Sequence, residues 1–349
     1  MPETHYERIR TKATLNRVKE EAMPFDWSIN PYRGCGHGCS FCYARAFQTF
    51  LGKSAEDEFQ YHISVKENAA EALEKQLSAL AKKFAYDIDA VSRHVGLVTI
   101  GTATDPYQPV EAKEQITREC LKLLAKYRIR TSVTTRSPLL MRDVDILSQM
   151  REVSVNISIN TLDAELIRKL EPASPHPAKR LETVNYLAEQ DVRVGIFAAP
   201  ILPYLTDSEE GVDALLQAAK ANGARFAMIS LLRLSPDVKS WFLQTLGQHE
   251  PQLVRMYRSL YAGGAYAESG YIDAFKEMAA RLLANHRLAG IETEQANRPG
   301  RTAGEQEPAL WPGQQNGPSK KPAKAVPRPN HPVSALEVTP EIEQLSFPF

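Results

Sequence analysis

Between about residue 60 and residue 245 the apolar positions change period in a regular way. Short β-branched runs (HISV, GLVTI, IRTSVTT, VSVNISI, VRVGIFAA, RFAMISL) alternate with stretches whose apolar residues recur every three to four positions (ENAAEALEKQLSALAKKF, EQITRECLKLLAKY, RDVDILSQM, DAELIRKL, AKRLETVNYLAEQ, EEGVDALLQAAKANG). Strand and helix in turn predict a parallel sheet, and strands that are nearly continuously apolar predict burial on both faces, as in an open or closed barrel. The expectation is an α/β protein built on a partial barrel of six strand and helix units, with its chemistry in the loops that follow the carboxyl ends of the strands.

Beyond about residue 245 the pattern is helical, with PQLVRMYRSLY and YIDAFKEMAARLLANHRLAG as amphipathic segments that brace the barrel. Residues 298 to about 333 are dense in Pro, Gly, Lys and Gln and bury too little apolar surface to offset their ordering entropy, so they read as a disordered linker. The expected organisation is an N-terminal extension over 1–25, the barrel over 26–245, a helical cap over 246–297 and a disordered tail over 298–349 that ends in a short hydrophobic motif.

At 349 residues the chain can bury a full core, and its hydrophobic content of 43% with 24% charged residues is that of an ordinary water-soluble protein. No apolar run approaches a membrane span, so no membrane partner is expected. The amino terminus, MPETHYERIRTKATLNRVKEE, lacks the apolar stretch of a secretion signal, which points to the reducing cytoplasm and free thiols. With 42 basic and 42 acidic side chains, the electrostatic footprint of a dedicated nucleic-acid binder is missing. Lys320, Lys321, Lys324 and Arg328 gather basic charge in the linker alone, where a flexible segment can graze phosphates.

The stretch NPYRGCGHGCSFCYAR concentrates chemistry, because Cys35, Cys39 and Cys42 are three of the four cysteines of the chain. Structural zinc takes four protein ligands, normally in two pairs, and a second pair is missing here. Cys120 lies on a helical pattern at the same face as Ile116, Leu123 and Leu124 and reads as a core side chain. Three thiolates on one loop leave a metal cluster with one open iron, the position that catalysis needs. A zinc knuckle remains the bland alternative. Gly34, Gly36 and Gly38 permit positive φ and close approach of the backbone to a compact cluster, whose sulfides nearby amides can hydrogen-bond. His37 reads as a loop residue shielding the cluster.

The CxxxCxΦC spacing, with Phe41 at the aromatic place, resembles the signature of the radical S-adenosylmethionine (SAM) superfamily. Within it the chain is similar to the spore photoproduct lyase group and its "DNA repair photolyase" relatives. The matching segments are INPYRGC (Ile29 to Cys35), TDPYQPVE (Thr104 to Glu111) and PILPYLTD (Pro200 to Asp207), and the resemblance covers roughly residues 14 to 240. It implies a radical SAM partial barrel. Cys35, Cys39 and Cys42 would hold a 4Fe–4S cluster, SAM would chelate the fourth iron, and one electron from a donor such as flavodoxin or ferredoxin would cleave SAM to a 5′-deoxyadenosyl radical. The reaction would begin with hydrogen-atom abstraction from a substrate, with DNA or RNA as the class suggested.

The resemblance also places Tyr43, Thr104, Asp105, Arg136, Ser158, Asn160, Glu171 and Arg180 at the cofactor. Arg136 would pair with the SAM carboxylate, Ser158 and Asn160 suit the ribose hydroxyls and amino-acid end, and Glu171 with Arg180 would form a positioning ion pair. The bland alternative for each is a solvated strand end or an ordinary salt bridge. One departure concerns the chemistry itself. Where spore photoproduct lyase carries a hydrogen-donating cysteine, this chain has about Thr102, whose O–H bond is too strong for that role. Repair of spore photoproduct by that mechanism is therefore not expected.

The chain ends LEVTPEIEQLSFPF, in which Gln344, Phe347 and Phe349 fit a Q-x-x-Φ-x-F peptide similar to those that dock on the bacterial DNA sliding clamp; the alternative is a hydrophobic plug packing back on the barrel. A reading of a different class follows from this, in which the protein is an iron–sulfur sensor or adaptor that docks on the clamp.

Overall fold

The computed structural model describes residues 3–19, 23–49, 52 and 54–288. Its strands are β1 (His5–Ile9), β2 (Asn16–Arg17), β3 (Trp27–Ile29), β4 (Tyr32–Arg33), β5 (His62–Lys66), β6 (Leu97–Ile100), β7 (Arg130–Thr135), β8 (Val153–Ser158), β9 (Val194–Ile201) and β10 (Ala227–Leu231). β3, β6, β7, β8, β9 and β10 lie side by side in that order, all parallel, and β2 adds antiparallel on the β3 edge. Among the described residues no pairing joins β10 back to β3, so this is an open six-stranded barrel, in line with the partial barrel expected.

Register explains how one sheet makes both a core and a cavity. Ile29, Ile100, Val133, Val155 and Val194 are Cα partners across five strands and each is fully buried. Burying each such side chain is worth about 1.5–3 kcal/mol. One position along, the row Ser28, Thr99, Ser132 and Ser154 turns to the other face, because successive strand residues point to opposite sides.

The helices that cover the sheet carry their apolar stripe at helical spacing; residues 116–126 bury Ile116, Thr117, Cys120, Leu121 and Leu124. Cys120 is a core residue, as its position on this helix implies. The helix at Ala164–Leu170 starts where the Asp163 side chain accepts from the amides of Glu165 and Leu166, and the helix at Glu209–Ala221 where Ser208 accepts from Gly211.

One expectation fails. HISV, read as a barrel strand, is β5, which pairs parallel with β1 and antiparallel with β4 in a separate three-stranded sheet. The place beside β6 is taken by β3, from DWSIN, so the hydrogen-bonding edges of β5 go elsewhere. The segment 1–25, read as an extension, contributes β1 to this small sheet and β2 to the large one. A helix at Pro236–His249 precedes those expected after residue 245, and with Val254–Leu260 it builds a second apolar cluster that includes Cys39, Phe41, Val238, Phe242, Tyr257 and Tyr261. The helix at Ser269–Asn285 packs on Glu209–Ala221 and β10. Among the described residues no helix is long and apolar enough to cross a membrane. The linker and Gln344, Phe347 and Phe349 lie outside the described residues.

Candidate active site

The cysteine loop leaves β4 through Gly34, whose φ of +75° and whose position 2.7 Å from the His62 carbonyl, measured from where a Cβ would sit, admit only glycine. Gly38, at φ +67°, is favoured by its backbone conformation, whereas the Gln60 side-chain end that a Cβ there would meet at 2.2 Å is free to move. Gly36 differs from the expectation. A Cβ there would meet Pro109 and Gln108 at ordinary contact distances of 3.6 and 3.7 Å, and the Gly36 amide donates to Gln108 Oε1 at 3.0 Å.

The loop holds Cys35 and Cys39 buried and Cys42 half-buried, all as free thiols. The amide of His37 is directed at the Cys35 sulfur, and those of Ala44 and Arg45 at the Cys42 sulfur. Burial pushes all three thiols up, Cys39 to about 12, so they lose their protons only to a partner that supplies positive charge.

Arg45 closes the loop from behind. Fully buried, it donates through Nε to the Cys39 carbonyl (2.7 Å), through Nη2 to the Gly38 carbonyl (2.7 Å) and through Nη1 to the carbonyls of Ala55 (3.0 Å) and Glu56 (2.7 Å). The rings of Phe59 and Trp241 flank the guanidinium, with centroids 5.1 and 5.2 Å away. These contacts join the cysteine loop to residues 55–59 and to the helix at Pro236–His249.

The strand ends supply the facing polar groups. After β6, Asp105 accepts from the Thr135 hydroxyl (2.6 Å) and from the amides of Tyr107 and Arg136 (2.8 Å each), and lies 3.2 Å from His37 Nε2. Burial alone would raise its pKa; His37, the Thr135 hydroxyl and the Arg136 amide reverse this and bring it to about 2. Thr104 donates to the Gly34 carbonyl at 2.6 Å, and the Tyr43 hydroxyl donates to the Thr102 carbonyl.

After β8 the buried Glu171 takes Arg180 Nη2 at 2.6 Å and Arg136 Nε at 3.3 Å on one oxygen. Burial opposes its ionisation, but Arg136 and Arg180 overcome that and hold it below the usual carboxylate range. Burial likewise works against the charge of Arg136, and Cys39, Glu171, Cys42 and Asp105 together raise it above its ordinary value. Arg180, fully buried, also donates to the carbonyls of Ser158 (3.0 Å) and Pro175 (2.8 Å).

Both halves border one cavity of about 280 Å³. It is lined by the three cysteines and by Tyr43, Thr104, Asp105, Arg136 and Ser158, and it extends into the barrel between the polar Thr99, Ser132, Thr134, Ser154 and Asn156 and the apolar Phe197, Phe226 and Met228. Of the residues expected at the cofactor, Asn160, Glu171 and Arg180 stand outside this lining. Asn160 donates to the Pro200 carbonyl at 3.2 Å while its buried Oδ1 has no hydrogen-bond partner, and the other two hold Arg136 and Ser158 in place. Asp105 does reach the cavity, but its acceptor capacity goes to protein donors.

These residues fit a thiolate-held cluster: three sulfurs border one hollow, and amides already point at two of them. Among the described residues no group of three or more His, Cys, Asp or Glu is placed to hold a single metal ion.

Arg45 was not legible from the motif. Its sequence context, CYAR, does not announce burial, and the Trp241 ring comes from a helix that periodicity did not resolve.

The comparisons agree with this geometry. The family model described as "Radical SAM superfamily" matches residues 29–216. An uncharacterized protein of Mycobacterium tuberculosis is 33% identical over 289 residues, 82% of each chain. An uncharacterized protein of Methanocaldococcus jannaschii is 28% identical over 203 residues, 58% of this chain and 70% of that one. Among solved structures, spore photoproduct lyase complexed with dinucleoside spore photoproduct aligns with a TM-score of 0.59 at 16% identity, over 82% of this chain and 80% of that one. A mutant of that lyase with bound S-adenosylmethionine and the dinucleoside aligns with a TM-score of 0.57 at 16% identity, over 78% and 79%. The likeness to the lyase is one of fold. On the family match, which spans more than half of its length, this chain belongs to the radical SAM superfamily, whose members are enzymes that use a 4Fe–4S cluster and S-adenosylmethionine.

Proposed function

We propose that Cys35, Cys39 and Cys42 hold the cluster, that Arg136 and Ser158 hold SAM with Tyr43 and Thr104 beside it, and that the enzyme abstracts a hydrogen atom from a nucleic-acid substrate. The observation that carries this reading is the convergence of three buried or half-buried thiols and the strand-end groups Arg136 and Ser158 on one cavity. When bound, the cluster supplies the electron that cleaves SAM reductively to a carbon radical.

The chain's own residues do the rest. Glu171 and Asp105 fix the side chain and the backbone of Arg136, which leaves its Nη groups for a carboxylate. Arg180 fixes the Ser158 carbonyl and so the end of β8. The apolar Phe197, Phe226 and Met228 line the same cavity as the polar Asn156, Thr134 and Ser132, a combination that suits a flat group with a polar edge, such as a nucleobase. The bound dinucleoside of the structurally similar lyase supports the same class. Thr102 stands at the cavity and offers no thiol, so the product radical would be quenched by another route than that lyase uses.

The test is 5′-deoxyadenosine formation by the anaerobically reconstituted protein with dithionite and SAM, and with DNA and RNA added in separate arms. Nucleoside that requires the intact cluster and rises with one nucleic acid supports the reading. A fully loaded cluster that yields none turns the assignment toward an iron–sulfur sensor or adaptor. Docking on a DNA sliding clamp through Gln344, Phe347 and Phe349 is a separate proposal, resting on the terminal sequence pattern, and is checked by binding of a peptide of that sequence to a purified clamp.

A further inference from the structure

Arg45 raises a question that loop positioning alone does not answer, namely why a permanently charged side chain is used where only carbonyls need donors. It is fully buried, and all of its hydrogen-bond acceptors are backbone carbonyls, of Gly38, Cys39, Ala55 and Glu56. Among the described residues no carboxylate makes an ion pair with it. An uncompensated buried charge costs several kcal/mol, and carbonyl dipoles and the faces of Phe59 and Trp241 offset only part of that. The cation is therefore held against the backbone of the cysteine loop itself, at Gly38 and Cys39.

The assignment that follows rests on the reading that those thiols carry a 4Fe–4S cluster. We infer that Arg45 is the resident counter-cation of that cluster, a positioning residue whose charge favours the reduced state and so raises the reduction potential. A four-iron cluster on three thiolates carries one net negative charge when oxidised and two when reduced. Reduction adds one electron from an external donor and changes no bond to the protein, so a fixed positive charge behind the loop stabilises the product of that step more than its starting state. The four carbonyl contacts serve the same end, since they lock the guanidinium to the cysteine backbone.

Equilibrium redox titration of the reconstituted full chain tests this, followed by the electron paramagnetic resonance signal of the reduced cluster, with iron content measured in parallel. Arg45→Met, loaded with iron to the wild-type level, should show at least a tenfold lower ratio of reduced to oxidised cluster at a fixed potential, equivalent to about 59 mV for a one-electron couple. Arg45→Lys keeps the charge and should stay within about threefold of wild type. If the methionine variant does not load, Arg45→Gln, which retains amide donors for the loop carbonyls, takes its place with the same expectation. An unchanged ratio in a loaded neutral variant, or a lysine variant that shifts as far as the neutral one, overturns the inference. If wild type itself binds no four-iron cluster, the underlying reading fails and the inference with it, and iron analysis tells that outcome from the others.

Discussion

Among the described residues two arginines, Arg45 and Arg180, are fully buried, and they are kept there in different ways. Arg180, behind the end of β8, has a buried carboxylate at 2.6 Å and completes its shell with two carbonyls. Arg45, behind the cysteine loop, has four carbonyls and two aromatic rings and no carboxylate. The first region is neutralised within the chain and is complete without cofactor. The second holds positive charge in reserve beside thiols that burial keeps protonated. On the proposed assignment, the groups that would hold SAM are prepaired, and Arg45 beside the cysteine loop is complementary to a charge that would arrive with the cluster.

The largest effect should come from the cluster side. Cys39→Ala is expected to abolish cluster retention, read as iron per chain, and with it all SAM cleavage; a variant that keeps its iron would remove Cys39 from the ligand set. On the other side, Glu171→Gln leaves Arg180 buried without its carboxylate and takes a partner from Arg136. It should cost roughly 3–5 kcal/mol in urea denaturation of the cluster-free protein. A loss under about 1 kcal/mol would show that carbonyls alone can hold Arg180, and the distinction between the two arginines would fall.

These two regions were unequally legible in the sequence. The three cysteines and the strand ends stood out because spacing and position after a strand are local signals: CxxxCxxC is read directly, and Arg136, Ser158 and Asp105 follow runs whose period gives them away. What was hidden is what depends on distant packing. Arg45 looks like any surface arginine until Phe59 and the helix bearing Trp241 close over it. Asp105 was read as a cofactor contact from its place in TDPYQPVE, yet the Thr135 hydroxyl and the Arg136 amide, on another strand and loop, donate to its oxygens. β5 has the composition of a barrel strand, and only competition with β3 for the edge of β6 excludes it.

Asp105 sharpens the prepaired side of the contrast through pH. Its folded pKa of about 2 lies below the ordinary aspartate value near 3.9, so the stabilisation it contributes is fully present above about pH 5 and is lost as the pH falls toward 2. The integrated effect is about 2–3 kcal/mol. In the cluster-free protein, Asp105→Asn should therefore flatten the acid limb of the stability curve by that amount while changing little of its shape above neutrality. Parallel curves for the two proteins would mean that His37, Thr135 and the Arg136 amide do not hold the charge.

The smallest effect concerns the aromatic flank of Arg45. The Trp241 indole N–H is buried with no hydrogen-bond partner, a standing cost of about 1–3 kcal/mol that Trp241→Phe removes while keeping a ring face near the guanidinium. Against that gain stands the loss of part of the ring's packing area. The two terms oppose each other, so Trp241→Phe should shift Tm by no more than about 2–4 °C. Trp241→Leu, which removes the ring face altogether, should cost about 1–2 kcal/mol more than the phenylalanine change. If charge is what Arg45 provides to the cluster, neither substitution at 241 should move the reduction potential by a measurable fraction of the Arg45→Met shift, because both leave the guanidinium and its four carbonyl contacts intact.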